Sequence, residues 1–375
     1  MKEIEYWIWI SSLQGLGAVK AMALLQLYKA PSTIYFMTEQ ELKEINFLTA
    51  KNIKEILDIQ KRERVATIHS LMVKHNIKLL NIFDDRYPNN LKQIYDPPIA
   101  LYYKGKFQIN DFTIAIVGSR RTTNYGAHSA KTLSYQLALR GIQIVSGLAR
   151  GIDRIAHEGC LDASGKTIAV LGCGLDSIYP PENKGLFEKI IKSEGLILSE
   201  YPPGMPPLQH NFPARNRIIS GISSGVLVVE AARRSGSLIT VSYALEQGRE
   251  VFAVPGNIDS AYSNGTNHLI KDGAKMVINV EDILEEFQYG EIVNNDITTN
   301  NPSIAFRNKN FSIFKGLNTE EIRIVKIISN GIHHIDEIIE RSNISAREVN
   351  NLLFMLEMKG IITQQPGKMF EMCLY

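Results

Sequence analysis

The spacing of apolar residues changes along the chain and divides it into four parts. Helical spacing in the first 78 residues predicts helices near 3–13, 18–28, 39–45, 50–57 and 60–75. From residue 79 to 288, short apolar runs alternate with helical segments, which predicts an α/β domain. Residues 289–316 are rich in asparagine without a periodic apolar pattern and are predicted to be a flexible linker. Helical spacing returns at 317–375.

The alternating region contains six apolar, β-branched runs that predict buried strands at 113–117, 142–145, 167–171, 196–198, 225–229 and 251–254. Helical segments separate them, as in parallel strands joined by crossover helices. The turn-rich stretches 82–88 and 96–103 are predicted to be connectors. We therefore predict an α/β fold, a Rossmann-like doubly wound parallel sheet, whose site lies at the carboxyl edge of the strands.

Two loops at that edge are suited to binding an anion. After the strand at 225–229, a helix opens with Ser235, Gly236 and Ser237, and backbone N–H groups at a helix start can bind a phosphate. Upstream of that strand, Phe212-Pro213 precedes a predicted turn that holds Arg215, Asn216 and Arg217. The turn would place two guanidinium groups near the same edge. An ordinary helix start with solvated arginines is the alternative for either loop considered alone.

The N-terminal part is predicted to be a helical module of the helix-hairpin-helix/SAM-like kind. Its first two helices are joined by Gln14-Gly15-Leu16-Gly17, a Gly-hydrophobic-Gly hairpin. Such hairpins can offer backbone N–H groups to a phosphate without reading base sequence. The second half, at 45–51, lacks the glycines, so a structural helical module without DNA contact is the alternative.

The C-terminal part is predicted to be a winged helix. Helices are expected at 319–329 and 335–341, and a third begins at a Ser345/Glu348 capping box before a hairpin around Pro366-Gly367. Winged helices usually enter a DNA major groove. This segment, however, has six Lys and Arg against eight Asp and Glu. A protein contact or weak DNA binding is therefore the better prediction for it.

Composition and motif checks mainly exclude certain kinds of site and partner. Lys and Arg number 41 against 39 Asp and Glu, so any basic surface must be local. The three cysteines have no metal-ligand spacing and predict free thiols in a reducing cytoplasm, and no apolar run is long enough to span a membrane. Gly165-Lys166-Thr167 precedes a strand where a P-loop must follow one, and Gly172-Cys173-Gly174 lacks the third glycine of a dinucleotide fingerprint. We predict no metal, no cofactor and no catalytic residue.

Six motifs occur in order along the chain: 115–120 (AIVGSR), 146–153 (SGLARGID), 167–172 (TIAVLG), 212–221 (FPARNRIISG), 235–240 (SGSLIT) and 253–256 (AVPG). Together they resemble the DNA-processing protein A (DprA/Smf) family over about residues 79–287. The resemblance implies a non-catalytic cytoplasmic protein that binds single-stranded DNA. It also implies recruitment of the recombinase RecA, its loading past single-strand-binding protein in natural transformation, and a homodimer.

The resemblance also implies particular site residues. Arg120, in the Gly118-Ser119-Arg120 loop, matches the strand-binding arginine of the family, and Lys184 matches its strand-binding lysine. Phe187 matches an aromatic residue that packs a base in some members, with core packing as its alternative. Cations can follow phosphates and a phenyl ring can stack on any base. We expect Arg120, Lys184 and Arg217 to surround one groove, with the amides of 235–237 at its floor.

An enzyme of a related Rossmann type, which hydrolyses nucleoside monophosphates, is the alternative from another class. Such an enzyme would carry a Pro-Gly-Gly-x-Gly-Thr-x-x-Glu loop. Here the corresponding residues 233–240 are RRSGSLIT, without a well-placed general acid. Release of free base from nucleoside monophosphates distinguishes the two functions.

Overall fold

The computed structural model describes residues 1–13, 15–287, 319–329, 334–342, 344–359, 361–365 and 367–372. The chain forms two compact units, residues 1–292 and 293–375. The predicted linker at 289–316 lies outside the described residues. Within the described ranges, no helix combines the length and apolarity that crossing a membrane requires.

The N-terminal part is helical, as predicted. Its helices are α1 (Glu3–Ser12), α2 (Ala18–Tyr28), α3 (Pro31–Tyr35), α4 (Glu39–Lys43), α5 (Ala50–Ile56) and α6 (Ile59–Lys74). The short α3 was not predicted; it opens with a proline, whose missing N–H needs no partner at a helix start. These helices share a core with the sheet, for example through Trp9 and Tyr102, within the first compact unit. A domain boundary at residue 78 stays a prediction.

The sheet has nine strands: β1 (Lys78–Asn81), β2 (Ala100–Gly105), β3 (Thr113–Val117), β4 (Gln143–Ser146), β5 (Thr167–Leu171), β6 (Leu196–Ser199), β7 (Gly225–Val228), β8 (Glu250–Ala253) and β9 (Lys275–Met276). The six predicted strands are all present. The prediction of a connector at 96–103 is wrong from Ala100 onward, because β2 pairs antiparallel with both β1 and β6. Turn residues before Ala100 obscured this buried strand.

The strand order is β1-β2-β6-β5-β4-β3-β7-β8-β9, and the strands from β6 to β9 are parallel. From β3 the chain moves outward to β6 and then returns to place β7 on the other side of β3. The sheet is therefore doubly wound, and the loops after β3 and β7 diverge. A crevice opens where such loops diverge, at the carboxyl ends of the strands.

Helices cover both faces of the sheet: α7 (Asn89–Lys92), α8 (Asn124–Leu139), α9 (Ile152–Asp162), α10 (Lys184–Lys192), α11 (Asn211–Ile222), α12 (Ser237–Glu246), α13 (Asn264–Lys271) and α14 (Glu281–Glu286). Alternate residues of β3 enter two separate cores. Ile114 and Ile116 face one core, while Ala115 and Val117 face the other. This alternation follows from the two-residue period of a strand.

The predicted turn at 215–217 is wrong, because these residues lie inside α11. Pro213 suggested a turn, but it is the third residue of α11, where a backbone N–H would have no partner within the helix. The helix also separates neighbouring side chains. Arg215 and Arg217 are two residues apart, which at 3.6 residues per turn directs them to roughly opposite sides of α11.

The described residues of the second unit form three helices, α15 (Thr319–Ser329), α16 (Ile335–Ser342) and α17 (Ala346–Met358), followed by a hairpin of β10 (Ile362–Gln365) and β11 (Met369–Met372). Ser345 caps α17 as predicted, because its hydroxyl accepts from Glu348 N (3.4 Å), and the same hydroxyl donates to the Glu348 carboxylate (2.6 Å). Ile324, Val349 and Leu353 lie in its core. The predicted winged helix is confirmed.

Candidate functional site

A pocket of about 490 Å³ lies at the crevice where the loops after β3 and β7 diverge. It is bounded by those loops and by the N-terminal halves of α11 and α12. Eight of the predicted site residues line it: Gly118, Ser119, Arg120, Arg215, Asn216, Ser235, Gly236 and Ser237. The structure therefore brings the loop at 118–120 together with residues 215–216 of α11 and with the start of α12 at 235–237, which both come much later in the sequence.

The turn that carries Arg120 is held from both sides. Ser119 N donates to Glu230 O (2.8 Å) after β7, and Ile152 N donates to Ser119 O (3.1 Å) at the start of α9. Arg120 is exposed and makes no ion pair with an acid of the described chain. Its guanidinium lies 5.8 Å from the centre of the Phe212 ring. The turn thus presents a cation whose charge is available to an anion in the pocket.

Glu230 fixes the next part of the same turn. It is buried, and its carboxylate accepts hydrogen bonds from Thr122 Oγ1 (2.8 Å), Thr123 N (3.0 Å) and Thr123 Oγ1. A carboxylate at the start of α8 also interacts favourably with the helix dipole. Glu230 therefore stabilises the conformation of the loop between β3 and α8.

Arg215 forms the floor of the pocket. Its side chain is buried, and it donates to Gly147 O (2.9 Å), Val170 O and Asn216 Oδ1 (3.2 Å). Burial lowers the pKa of Arg215, and the nearby Asp153 opposes this effect. Burial likewise raises the pKa of Asp153, which Arg215 opposes. Part of the hydrogen-bonding capacity of Arg215 is thus used to join β4, β5 and α11.

Arg217 lies outside the pocket. Its guanidinium donates two bonds to the Glu200 carboxylate (2.9 and 2.7 Å) and one to Asp96 Oδ2 (2.9 Å). Burial lowers the pKa of Arg217, but Glu200 and Asp96 outweigh burial and raise it overall. It lines a different cavity, of about 400 Å³, beside α1 and α2. The expected arrangement of Arg217 in one groove with Arg120 is not what the structure shows.

Lys184 and Phe187 lie on α10, next to the pocket but outside its lining. Lys184 is exposed at the start of the helix, and Asn183 before it donates to Leu148 O (2.9 Å) in the loop that leads to α9. Phe187 is only 3% exposed, and Lys104 Nζ lies 5.5 Å from its ring centre. The structure therefore places Phe187 in the core, as its alternative interpretation had it.

The amides of residues 235–237 are partly used. Ser237 N donates to Ser235 Oγ (3.3 Å), and the two serine hydroxyls are 2.8 Å apart. Gly236 is exposed and lines the pocket at the start of α12. This helix start keeps a polar surface of backbone and hydroxyl groups facing the pocket.

Several residues of the pocket were not predicted from the sequence, namely Arg121, Asp153, Phe212 and Tyr262, and the supporting Glu230. Asp153 and Phe212 had a signal, because they lie within the motifs at 146–153 and 212–221, and Arg121 directly follows Arg120. Tyr262 comes from a turn distant in the sequence, and no local pattern identifies it.

In the N-terminal hairpin, a carboxylate already accepts a hydrogen bond from a backbone amide that a phosphate would need. Gly15 N donates to Glu55 Oε1 (2.9 Å), and Glu55 also pairs with Lys61. A phosphate would have to displace this carboxylate. The contact favours the interpretation of the hairpin as a structural module.

His157, behind the pocket on α9, is completely buried. Thr167 Oγ1 donates to Ile144 O (2.7 Å), so His157 Nδ1–H must donate to Thr167 Oγ1 (2.7 Å). The other nitrogen, Nε2, then accepts, and it has no partner in the described part of the chain. Burial lowers the pKa of His157 to about 3, and the charge of Arg215 adds to the effect.

We expect this histidine to make folding stability depend on pH. An unfolded histidine titrates near pH 6.5, so between that pH and about 3 the unfolded state binds more protons than the folded state. The free energy of unfolding should fall as pH falls through this window, by up to about 1.4 kcal/mol per pH unit. Urea unfolding at pH 7, 6 and 5 measures it. His157→Gln should flatten the dependence, whereas His128→Gln, at an exposed position, should not. Equal slopes in all three proteins would contradict the assignment.

The fold and the pocket define a Rossmann-like protein with a cationic site at the switch point of its sheet. A family model described as DNA recombination-mediator protein A matches residues 78–288, and one described as DprA winged helix domain matches 315–368. The chain therefore belongs to the DprA/Smf family of DNA-processing proteins. Protein Smf of Escherichia coli is 35% identical, over 98% of this chain and 95% of its own.

Two solved structures resemble this one. The DNA processing protein A of Streptococcus pneumoniae has a TM-score of 0.65 and 40% identity, covering 76% of this chain and 99% of its own. That of Helicobacter pylori has a TM-score of 0.52 and 33% identity, covering 57% of this chain and 96% of its own. The latter structure is described as showing the single-stranded DNA binding mode of that protein.

Proposed function

We propose that this protein binds single-stranded DNA at the switch-point pocket and acts without catalysis as a recombination mediator. The observation that carries the proposal is the exposed Arg120 on a turn fixed by Ser119 and Glu230, without a competing acid pair in residues 1–13 and 15–287. Exposed cations beside backbone amides suit a phosphate backbone of any sequence. The H. pylori relative, which binds single-stranded DNA, supports the same function.

Lys184 extends this site in our proposal. It opens α10, where the positive end of the helix dipole disfavours a cation. A phosphate beside Lys184 would relieve this repulsion. Asn183 ties the start of α10 to the loop before α9, and Ser119 accepts a bond from the first residue of α9. The residues next to Lys184 and Arg120 thus both bond to the segment 148–152.

Salt titration tests the site. We expect Arg120→Ala and Lys184→Ala to weaken binding of single-stranded oligonucleotides of any sequence. Each should also make the log–log salt slope shallower by about 0.7, the value for one lost phosphate contact. Lys189→Ala, an exposed cation further along α10, is the matched control and should change neither quantity. Wild-type affinity and slope in both folded site variants would place the strand elsewhere.

We further propose that the bound strand is handed to RecA in the presence of single-strand-binding protein, during natural transformation in the cytoplasm. Family membership supports this role. The second unit suits a protein contact, or weak DNA binding, better than tight groove binding. On its third helix, α17, Phe354 and Met355 are exposed apolar side chains. RecA filament assembly on coated single strands, with and without this protein, tests the role.

We also propose a homodimer through the Rossmann-like part. Two linked sites on one DNA strand raise apparent affinity, because the second engagement is intramolecular. Sedimentation at micromolar concentration should therefore show a dimer. A monomer as the single species would contradict the proposal.

The nucleotide-hydrolysing alternative needs a free carboxylate near the bound phosphate. The two acids beside the pocket are both engaged: Asp153 Oδ2 accepts from Gly147 N (3.1 Å), and Glu230 holds Thr122 and Thr123. These bonds support a binding protein over a hydrolase. Appreciable release of free base from nucleoside monophosphates would reverse this preference.

A further inference from the structure

Two aromatic side chains near Arg120 remain accessible. Phe212, on the first turn of α11, lines the pocket, and Tyr179, in the loop before α10, is 36% exposed. Their ring centres are 5.3 Å apart with an interplanar angle of 41°. The Arg120 guanidinium lies 5.8 Å from the centre of the Phe212 ring. The three side chains form a continuous row that starts at the proposed phosphate site.

The row is held in place by its surroundings. A Cβ atom at Gly172 would lie 3.0 Å from the Phe212 ring, so glycine at the end of β5 allows this ring to pack closely. Tyr179 interacts with Arg150, which in turn pairs with Glu182. Both rings are therefore positioned by contacts from the fold and do not depend on DNA for their placement.

Other aromatic residues fit a base-stacking role less well. The Phe187 ring is 3% exposed and packs in the core, so a base would first have to displace its neighbours. Tyr262 also lines the pocket, but it has no ring partner among the described residues. Phe212 and Tyr179 together offer a larger apolar surface beside Arg120.

We propose that Phe212 and Tyr179 form the base-stacking platform of the site, next to the phosphate bound by Arg120. This inference rests on the proposed single-stranded DNA binding and adds the residues that contact the bases. A phosphate and its base are joined by one sugar, so one nucleotide can reach both Arg120 and the adjacent ring. Stacking on a π-face accepts every base, which gives binding without sequence preference.

The test compares an intact oligonucleotide with one that has the same sugar-phosphate backbone but abasic positions. Stacking contributes about 1–3 kcal/mol per base, so wild-type protein should bind the intact strand about 5- to 150-fold more tightly. Phe212→Leu keeps apolar packing on Gly172 but removes the aromatic face. It should reduce the intact-to-abasic affinity ratio toward one, with the abasic affinity and the salt slope unchanged. Tyr179→Ala should reduce the ratio partially, and Phe212→Trp should restore it.

Several outcomes would overturn the platform. One is an unchanged intact-to-abasic affinity ratio in both the Phe212→Leu and the Tyr179→Ala proteins, provided that a cooperative thermal unfolding transition shows that both are folded. Another is a fall of this ratio to one in the Tyr262→Ala protein alone. Failure of wild-type protein to bind either strand would instead overturn the proposed function, and the platform with it. A wild-type protein that binds both strands equally would overturn the platform while leaving the phosphate site intact.

Discussion

Replacing Arg217 by alanine is expected to lower the free energy of unfolding by about 3–5 kcal/mol, the usual cost of removing one partner of a buried ion pair. The Arg217 side chain is 6% exposed and satisfies Glu200 and Asp96 at once. Without it, the mostly buried Glu200 side chain loses its ion-pair partner. Because Arg217 lies outside the pocket, the protein that remains folded should bind single-stranded DNA as wild type does.

Urea unfolding measures the loss, and two variants control its cause. Arg120→Ala removes an exposed arginine and should change stability little while weakening DNA binding. The double variant Arg217→Met with Glu200→Gln removes both charges of the closest pair and should recover part of the lost stability. A stable Arg217→Ala protein that binds DNA poorly would contradict this assignment and return Arg217 to the site.

Gly151→Ala is expected to impair both stability and DNA binding. Gly151 has a φ of 73°, and an alanine Cβ there would lie 2.2 Å from Ser119 O. Gly151 has a ψ of −128°, so it lies in a region of positive φ that only glycine adopts readily, and the backbone conformation alone costs another residue about 1–3 kcal/mol. The collision adds to this cost and is relieved by moving the turn that carries Arg120. We expect a loss of stability of more than about 2 kcal/mol and weaker binding to single strands.

Gly141→Ala is the matched control. Gly141 also has a positive φ, 79°, but a Cβ there would have no neighbour within 4 Å. It should therefore lose stability through the backbone alone and keep wild-type DNA affinity. Urea unfolding and oligonucleotide titration of both variants separate the two effects. Equal DNA affinity in the two folded variants would show that the Ser119–Arg120 turn does not depend on Gly151.

The sequence predicted the six central strands and most helices because their signal is local. A buried parallel strand such as β5 is a short apolar run, and a helix such as α17 begins after a capping serine and has periodic leucines. The loops after β3 and β7 could be placed at one edge from topology alone. The strand β2 escaped prediction because turn residues precede it and because β6, one of its two partners, lies far along the chain.

Local patterns and motifs in the chain thus predicted the doubly wound sheet, the winged helix, the family and the loops that meet at the switch point. Which side chains in those loops face the pocket depends on packing between distant segments. Arg215 and Arg217 are near neighbours in sequence, yet α11 sends one to the pocket floor and the other to Glu200. Phe187 is buried and Phe212 lines the pocket. Spacing along one segment gives its period, but burial and ion pairing are set by the distant segments packed against it.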